Sequence, residues 1–138
     1  MEQIIVGVDF SPSSEEAAKQ AADLAQATGA QLHLVTATRK SGSQTVTAGG
    51  ETWTINDLDR AHQKLVAMAG KIAPGTSVTC SVLDGDAAKA IVAEAERIGA
   101  DAIVVGNRRI NGVSRVLGAV ALDVVRHAPC AVHIAKTT

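Results

Sequence analysis

A doubly wound parallel α/β sheet is the fold this sequence predicts, and three observations predict it. Short apolar runs alternate with helical patterns from one end of the chain to the other. The runs, such as Ile4-Ile5-Val6-Gly7-Val8 and Ala102-Ile103-Val104-Val105, are apolar throughout rather than at every second position, as in a sheet covered on both faces. The 138 residues, 46% of them apolar, suit one domain, and no internal repeat, low-complexity tract or boundary divides 1–138.

The elements follow in order. Ile4–Val8 is the first strand. The first helix starts at Ser11-Pro12, either with Ser11 as cap and Pro12 at the first helical position or with Ser13 and Glu16 as a capping box. Its apolar face, Ala17, Ala18, Ala21, Leu24, Ala25 and Thr28, is made mainly of small residues, and Gly29 stops it. Leu32–Ala37 is the second strand. Lys40–Asn56, polar and glycine-bearing, is expected to be a flexible loop carrying Trp53. Asn56 or Asp57 caps the second helix, whose buried face is Leu58, Ala61, Leu65, Met68, Ala69 and Ile72, and Pro74-Gly75 closes it. Ser77–Leu83 is the third strand, Asp86–Ile98 the third helix, Ala102–Val105 the fourth strand, Ser114–His127 the fourth helix and Cys130–Ala135 the fifth strand.

Composition removes several function classes. Aromatic residues amount to 1%, Phe10 and Trp53, so there are no platforms for stacking single-stranded nucleic acid or flanking a flavin. A net charge of −1 gives no electrostatic case for binding DNA or RNA. The start of the chain reads as a strand rather than a signal peptide, and no apolar run reaches the roughly 18 residues of a membrane span, so a cytoplasmic location and no membrane partner are expected. Cys80 and Cys130 lie in apolar runs and read as buried free thiols. His127, Cys130 and His133 have ligand-like spacing, but Cys130 and His133 point to opposite faces of one strand, so no metal site is assigned. A receiver domain would need an acidic pair after the first strand, where Asp9 is followed by Phe10.

In an open α/β sheet, ligands bind at the carboxyl ends of strands where the strand order reverses. The natural walls are the loop after the first strand, Asp9–Ser11, and the loop after the fourth, Gly106–Ser114. The latter runs strand, Gly- and Arg-bearing loop, helix, which is how backbone N–H groups are aimed at an anion. Asp9 can accept hydrogen bonds from a ribose hydroxyl or an amino group, or can simply complement a helix N-terminus. Arg108 and Arg109 can pair with phosphate oxygens or stand as solvated loop charges, and Gly106 and Gly112 can serve only to turn the loop.

Several segments carry a family resemblance. Ile4-Ile5-Val6-Gly7-Val8-Asp9-Phe10-Ser11 is similar to the first strand and aspartate of the universal stress protein family. Leu83-Asp84-Gly85-Asp86-Ala87-Ala88-Lys89-Ala90-Ile91 is similar to its Gly-x-x-x-x-x-Ile segment, and Ala100–Gly106 with His127–Val132 to its C-terminal half. The chain resembles that family along essentially its whole length. The resemblance implies an adenine-nucleotide α-hydrolase-like fold, a five-stranded sheet of order 3-2-1-4-5, and a homodimer whose fifth strands meet across a two-fold axis. An apolar edge at Cys130–Ala135 needs such a cover, which places Val132 and Ile134 at the interface.

The resemblance also implies an adenine-nucleotide site. It puts Asp9 at the adenosine, Ala37 against the adenine, Val105, Gly106 and Arg108 at the fourth-strand edge, and Gly118, Ala119 and Val120 at the phosphate and ribose end. The ATP-binding branch carries Gly-x-x-Gly, nine residues, then Gly-Ser or Gly-Thr. Here Arg109 stands at the second glycine, eight residues separate it from Gly118, and Ala119 replaces the hydroxyl residue. The guanidinium of Arg109 then either blocks the phosphate or supplies charge to it, and Gly112 offers a second tight turn. ATP binding is expected to be weak, with AMP or cyclic AMP as alternative ligands. The functional reading is a cytoplasmic stress-response module that binds an adenine nucleotide as a homodimer. The alternative is an interaction dimer of the same fold that binds none. A slow ATP hydrolase is a third reading, disfavoured because no general base falls near the expected γ-phosphate, and no catalytic residue is assigned.

Overall fold

The computed structural model describes residues 1–38, 43–48, 51–107 and 117–137, with backbone alone over 43–48 and 51–57. The elements are β1 (Gln3–Gly7), α1 (Pro12–Thr28), β2 (Gln31–Thr38), β3 (Ser43–Ala48), β4 (Glu51–Asn56), α2 (Asp57–Ile72), β5 (Val78–Asp84), α3 (Ala87–Ile98), β6 (Ala102–Gly106), α4 (Ala119–His127) and β7 (Ala131–Ala135). Five strands form one sheet in the order β5-β2-β1-β6-β7. Every pair in it is parallel, with Ile4 opposite Leu32 on one side and Ala102 on the other. Counted among themselves these strands run 3-2-1-4-5, the order expected of the doubly wound fold.

Two helical layers cover the sheet. Side chains alternate along a strand, so Ile4 and Val6 enter a core with the alanines of α1 and Leu65 of α2, while Ile5 enters a second core with α3 and α4. All three are fully buried, which is why this strand is apolar without alternation. Ala17, Ala18 and Ala21 are also fully buried, and their small size lets α1 lie close on β1 and β6.

The cap of α1 is Ser11, whose Oγ accepts the Ser14 N–H at 3.1 Å with Pro12 following, so the first of the two predicted starts is the one adopted. Gly29 and Gly99 end α1 and α3 at φ 74° and 66°, the left-handed geometry that glycine takes without cost. Asp86 caps α3 by accepting the Lys89 N–H at 3.2 Å.

Three sequence expectations need correction. The 40–56 stretch is not simply a loop: β3 and β4 pair antiparallel there, Ser43 opposite Asn56 and Ala48 opposite Glu51. Thr45-Val46-Thr47 and Thr52-Trp53-Thr54-Ile55 are rich in β-branched residues, and that propensity outweighs the polarity. Helix α4 begins at Ala119, not at Ser114. Gly118 is its extended N-cap (φ −61°, ψ 156°), and Leu117 also precedes the helix. Cys80 and Cys130 are free but half-buried: Cys80 lies on β5 and Cys130 directly precedes β7, the two edge strands of the sheet. What burial they have raises both thiol pKa values, with a smaller push on Cys130 from Asp101.

Candidate functional site

The strand order reverses at β1, whose neighbours β2 and β6 continue in opposite directions along the chain. A cleft of about 710 Å³ opens at the C-terminal ends of these three strands, within the usual range for small-molecule sites. Gly7, Val8, Val35, Thr36, Val105 and Gly106 reach it from the sheet. Ala61 of α2 and Ala87 and Ile91 of α3 line it from the two helical layers.

One wall is the turn from β1 into α1. Phe10 is the one non-glycine residue with positive φ (66°) among the described residues, a conformation that costs on the order of 1–3 kcal/mol. Local bonds hold it in place. The Asp9 carboxylate accepts the Ser11 N–H at 3.0 Å, and the Asp9 N–H donates to Ser14 Oγ at 3.3 Å. The Ser14 hydroxyl in turn donates to the Ser11 carbonyl at 3.0 Å. The Phe10 ring packs on the α1–α2 core, with Lys64 Nζ 5.4 Å from its centroid, within cation–π range. The reversal leaves Asp9 exposed at the lip of the cleft.

The opposite wall is the start of α4. Gly118, Ala119, Val120 and Ala121 line the cleft there. Gly118 makes no side-chain capping bond, so the first-turn N–H groups have no side-chain acceptor from the cap. The positive ends of the α1 and α4 dipoles both border the cleft.

The floor at β6 is tied down from an unexpected direction. The Asn107 N–H donates to the Ala135 carbonyl at 3.0 Å. Asn107 Oδ1 accepts both the N–H and the hydroxyl of Thr137, at 3.0 and 2.9 Å. Because the Thr137 proton is committed there, Ser13 Oγ is the donor in its 2.5 Å contact with Thr137. Gln20 adds a bond to the Lys136 carbonyl at 2.9 Å. The segment after β7 thus fastens the start of α1 to the end of β6. A methyl group on Gly106 would meet Ala17, Thr137 and Ser13 at ordinary distances of 3.6–3.9 Å, so this glycine is not demanded by sterics.

Of the sequence-predicted site residues, Asp9, Ala37, Val105, Gly106, Gly118, Ala119 and Val120 all line this one cleft. Arg108, Arg109 and Gly112 lie outside the described residues. Val132 and Ile134 lie on the edge strand β7, partly exposed and packed on the α3–α4 core. His127, Cys130 and His133 do not assemble: His127 Nδ1–H donates to the Asp123 carbonyl at 2.9 Å, and no group of three metal-ligating side chains occurs among the described residues. No described helix is long and apolar enough to cross a membrane. Sequence reasoning missed Thr36 and the Ser13–Thr137–Asn107 network. A polar residue within the apolar run Leu32–Ala37 was the available signal for Thr36; pairs 124 residues apart leave none.

Sheet order and cleft position together define the class: a doubly wound α/β domain with its cleft at the strand-order reversal. The sequence model of the universal stress protein family matches residues 1–136. The chain is 31% identical to universal stress protein MJ0531 of Methanocaldococcus jannaschii, over 97% of this chain and 81% of that one. Among solved structures, a universal stress protein in complex with cAMP is similar with a TM-score of 0.74 at 26% identity, over 99% of this chain and 98% of that chain. A universal stress protein from Archaeoglobus fulgidus in complex with dAMP gives 0.69 at 24% identity over 97% of each chain, a likeness of fold. This chain belongs to the universal stress protein family, and its fold is the adenine-nucleotide α-hydrolase-like one.

Proposed function

We propose that this protein is a regulatory module of the stress response that takes an adenine nucleotide in the cleft, acts as a homodimer and does not turn its ligand over. The observation that carries the ligand class is the start of α4, a helix N-terminus at the cleft with no side-chain cap. It offers an anion site. The ends of β2 and β6 flank β1, so they lie about 10 Å apart, two inter-strand spacings. That span suits a base held at β2 and a phosphate held at α4. The relative bound to cAMP, similar over nearly its whole length, supports an adenine nucleotide. Asp9 is the one ionisable side chain among the described residues lining the cleft, which supports binding over catalysis. A nucleotide with one phosphate is favoured, because Arg109 and Ala119 depart from the ATP-binding pattern.

Calorimetry and thermal shift with ATP, ADP, AMP and cyclic AMP test this reading. A ligand at about 100 times its dissociation constant adds about 2.7 kcal/mol of stability. No response to any of the four would sink the nucleotide reading and leave the interaction dimer.

Support for a dimer comes from the edge strand β7 and from exposed apolar side chains on α4. Val120, Leu122 and Val125 of α4 are 42%, 38% and 48% exposed, beside an edge strand with unpaired backbone. Pairing of β7 with its own copy covers that edge. Val132→Lys with Ile134→Lys is expected to give monomer or insoluble protein. A soluble dimer by light scattering would place the interface elsewhere.

A further inference from the structure

Two polar side chains are buried among the described residues, Ser14 at 9% exposure and Thr36 at 6%, and both line the cleft. They differ in how their hydroxyls are used. Ser14 Oγ accepts from the Asp9 N–H and donates to the Ser11 carbonyl, so it is satisfied within the turn. The Thr36 hydroxyl makes no hydrogen bond among the described residues. No side-chain oxygen or nitrogen there is both sealed from solvent and unpartnered, so the small accessible area of Thr36 opens into the cleft it lines.

The surroundings of Thr36 offer it nothing in return. Alternation along β2 puts it on the face of Leu32 and Leu34, over the α1–α2 core. Its register partner on β5 is Val82, and Val8 reaches the same face from β1. A position chosen only for strand propensity and burial suits valine as well as threonine and would avoid a hydroxyl with no partner. A hydroxyl in this setting is satisfied by whatever enters the cleft, water in the free protein and ligand in the complex.

We propose that Thr36 is a specificity-determining residue whose hydroxyl hydrogen-bonds the heteroatom edge of a neutral heterocycle seated deep in the cleft. This rests on the nucleotide reading above and assigns the ligand's two ends. A neutral hydroxyl among apolar side chains suits an uncharged base, which has both ring nitrogens and N–H groups to offer it. A phosphate is favoured instead by the N-terminus of α4, on the other side of β1.

The test uses the full chain and two variants. Thr36→Val keeps shape and β-branching but removes the hydroxyl; Thr36→Ser keeps the hydroxyl. With the adenine nucleotide that the parent binds, Thr36→Val is expected to bind about tenfold more weakly in calorimetry, 1.4 kcal/mol. Thr36→Ser is expected to stay close to the parent. The melting temperature of ligand-free Thr36→Val is expected to equal or exceed the parent's, because no internal hydrogen bond is lost. Equal affinity in parent and Thr36→Val would overturn the proposal alone. So would a lower ligand-free melting temperature, which would make the hydroxyl structural. A parent that bound none of the four nucleotides would overturn the functional reading and this inference with it.

Discussion

The two helix starts that wall the cleft stand in contrast. Each helix follows a central strand along the chain, and each borders the cleft with its N-terminus. The β1–α1 turn satisfies itself: Ser11 caps the helix, Asp9 accepts from Ser11, and Ser14 both accepts and donates. At α4, glycine is the cap, and it has no side chain to offer the first-turn donors. On the proposed function, the difference separates scaffold from receptor. A turn whose polar groups are paired internally holds its shape without a ligand, whereas a helix start without a side-chain cap gains from an anion.

The strongest way to sharpen that contrast is to rebuild the receptor side in the ATP-binding pattern. Arg109→Gly with Ala119→Ser and one residue inserted between Arg115 and Gly118 is expected to tighten ATP binding by roughly one to three orders of magnitude, at about 0.5–1.5 kcal/mol per restored hydrogen bond. Calorimetry reads this directly. Submicromolar ATP affinity in the unmodified chain would show that these departures do not matter.

A carboxylate at the α4 cap would blur the contrast. Gly118→Asp supplies the missing cap and complements the dipole, so the ligand-free protein should gain a few tenths to about 1 kcal/mol. The same carboxylate occupies the anion position, and nucleotide affinity should fall about tenfold or more. Ser11→Ala is the matched change on the scaffold side. It should cost about 1 kcal/mol of stability in denaturant titration. If Gly118→Asp left binding intact, the α4 terminus would not be where the phosphate sits.

The smallest effect is expected at the far end of the sheet. The Asp101 carboxylate accepts the N–H groups of Glu2 at 2.6 Å and Gln3 at 2.9 Å, fastening the start of β1 to the entry of β6. The bond from Gln3, then that from Glu2, holds its pKa below the ordinary 3.8. The folded value is therefore below the unfolded one, so this contribution is present above pH 3.8 and is lost as pH falls through the folded value. Asp101→Asn should flatten the acid limb of the stability curve and leave nucleotide binding unchanged.

The sheet was legible because its central strands are covered on both faces and so carry unbroken apolar runs, as at Ile4–Val6 and Ile103–Val105. The β3–β4 hairpin was not, since its Thr-rich strands look polar. Gly49-Gly50 between two β-branched runs was the signal to weigh. The start of α4 was misplaced because Val113, Val116 and Leu117 continue the helical spacing upstream of Gly118. At the cleft, Asp9 and the glycines were found by local motif, as was Ala37 by resemblance. Thr36 emerged only when burial and bonding could be read together.

The bond between Ser13 and Thr137 sets an order of events during synthesis. The two residues are separated by 124 positions. At about 5–20 residues per second, roughly 6–25 s pass between making one and making the other. During that interval α1 can form and cap itself through Ser11, but the end of β6 has no Thr137 to hold Asn107. The β6 side of the cleft is therefore fastened to α1 only after Thr137 has been made, long after the β1–α1 wall has closed on itself.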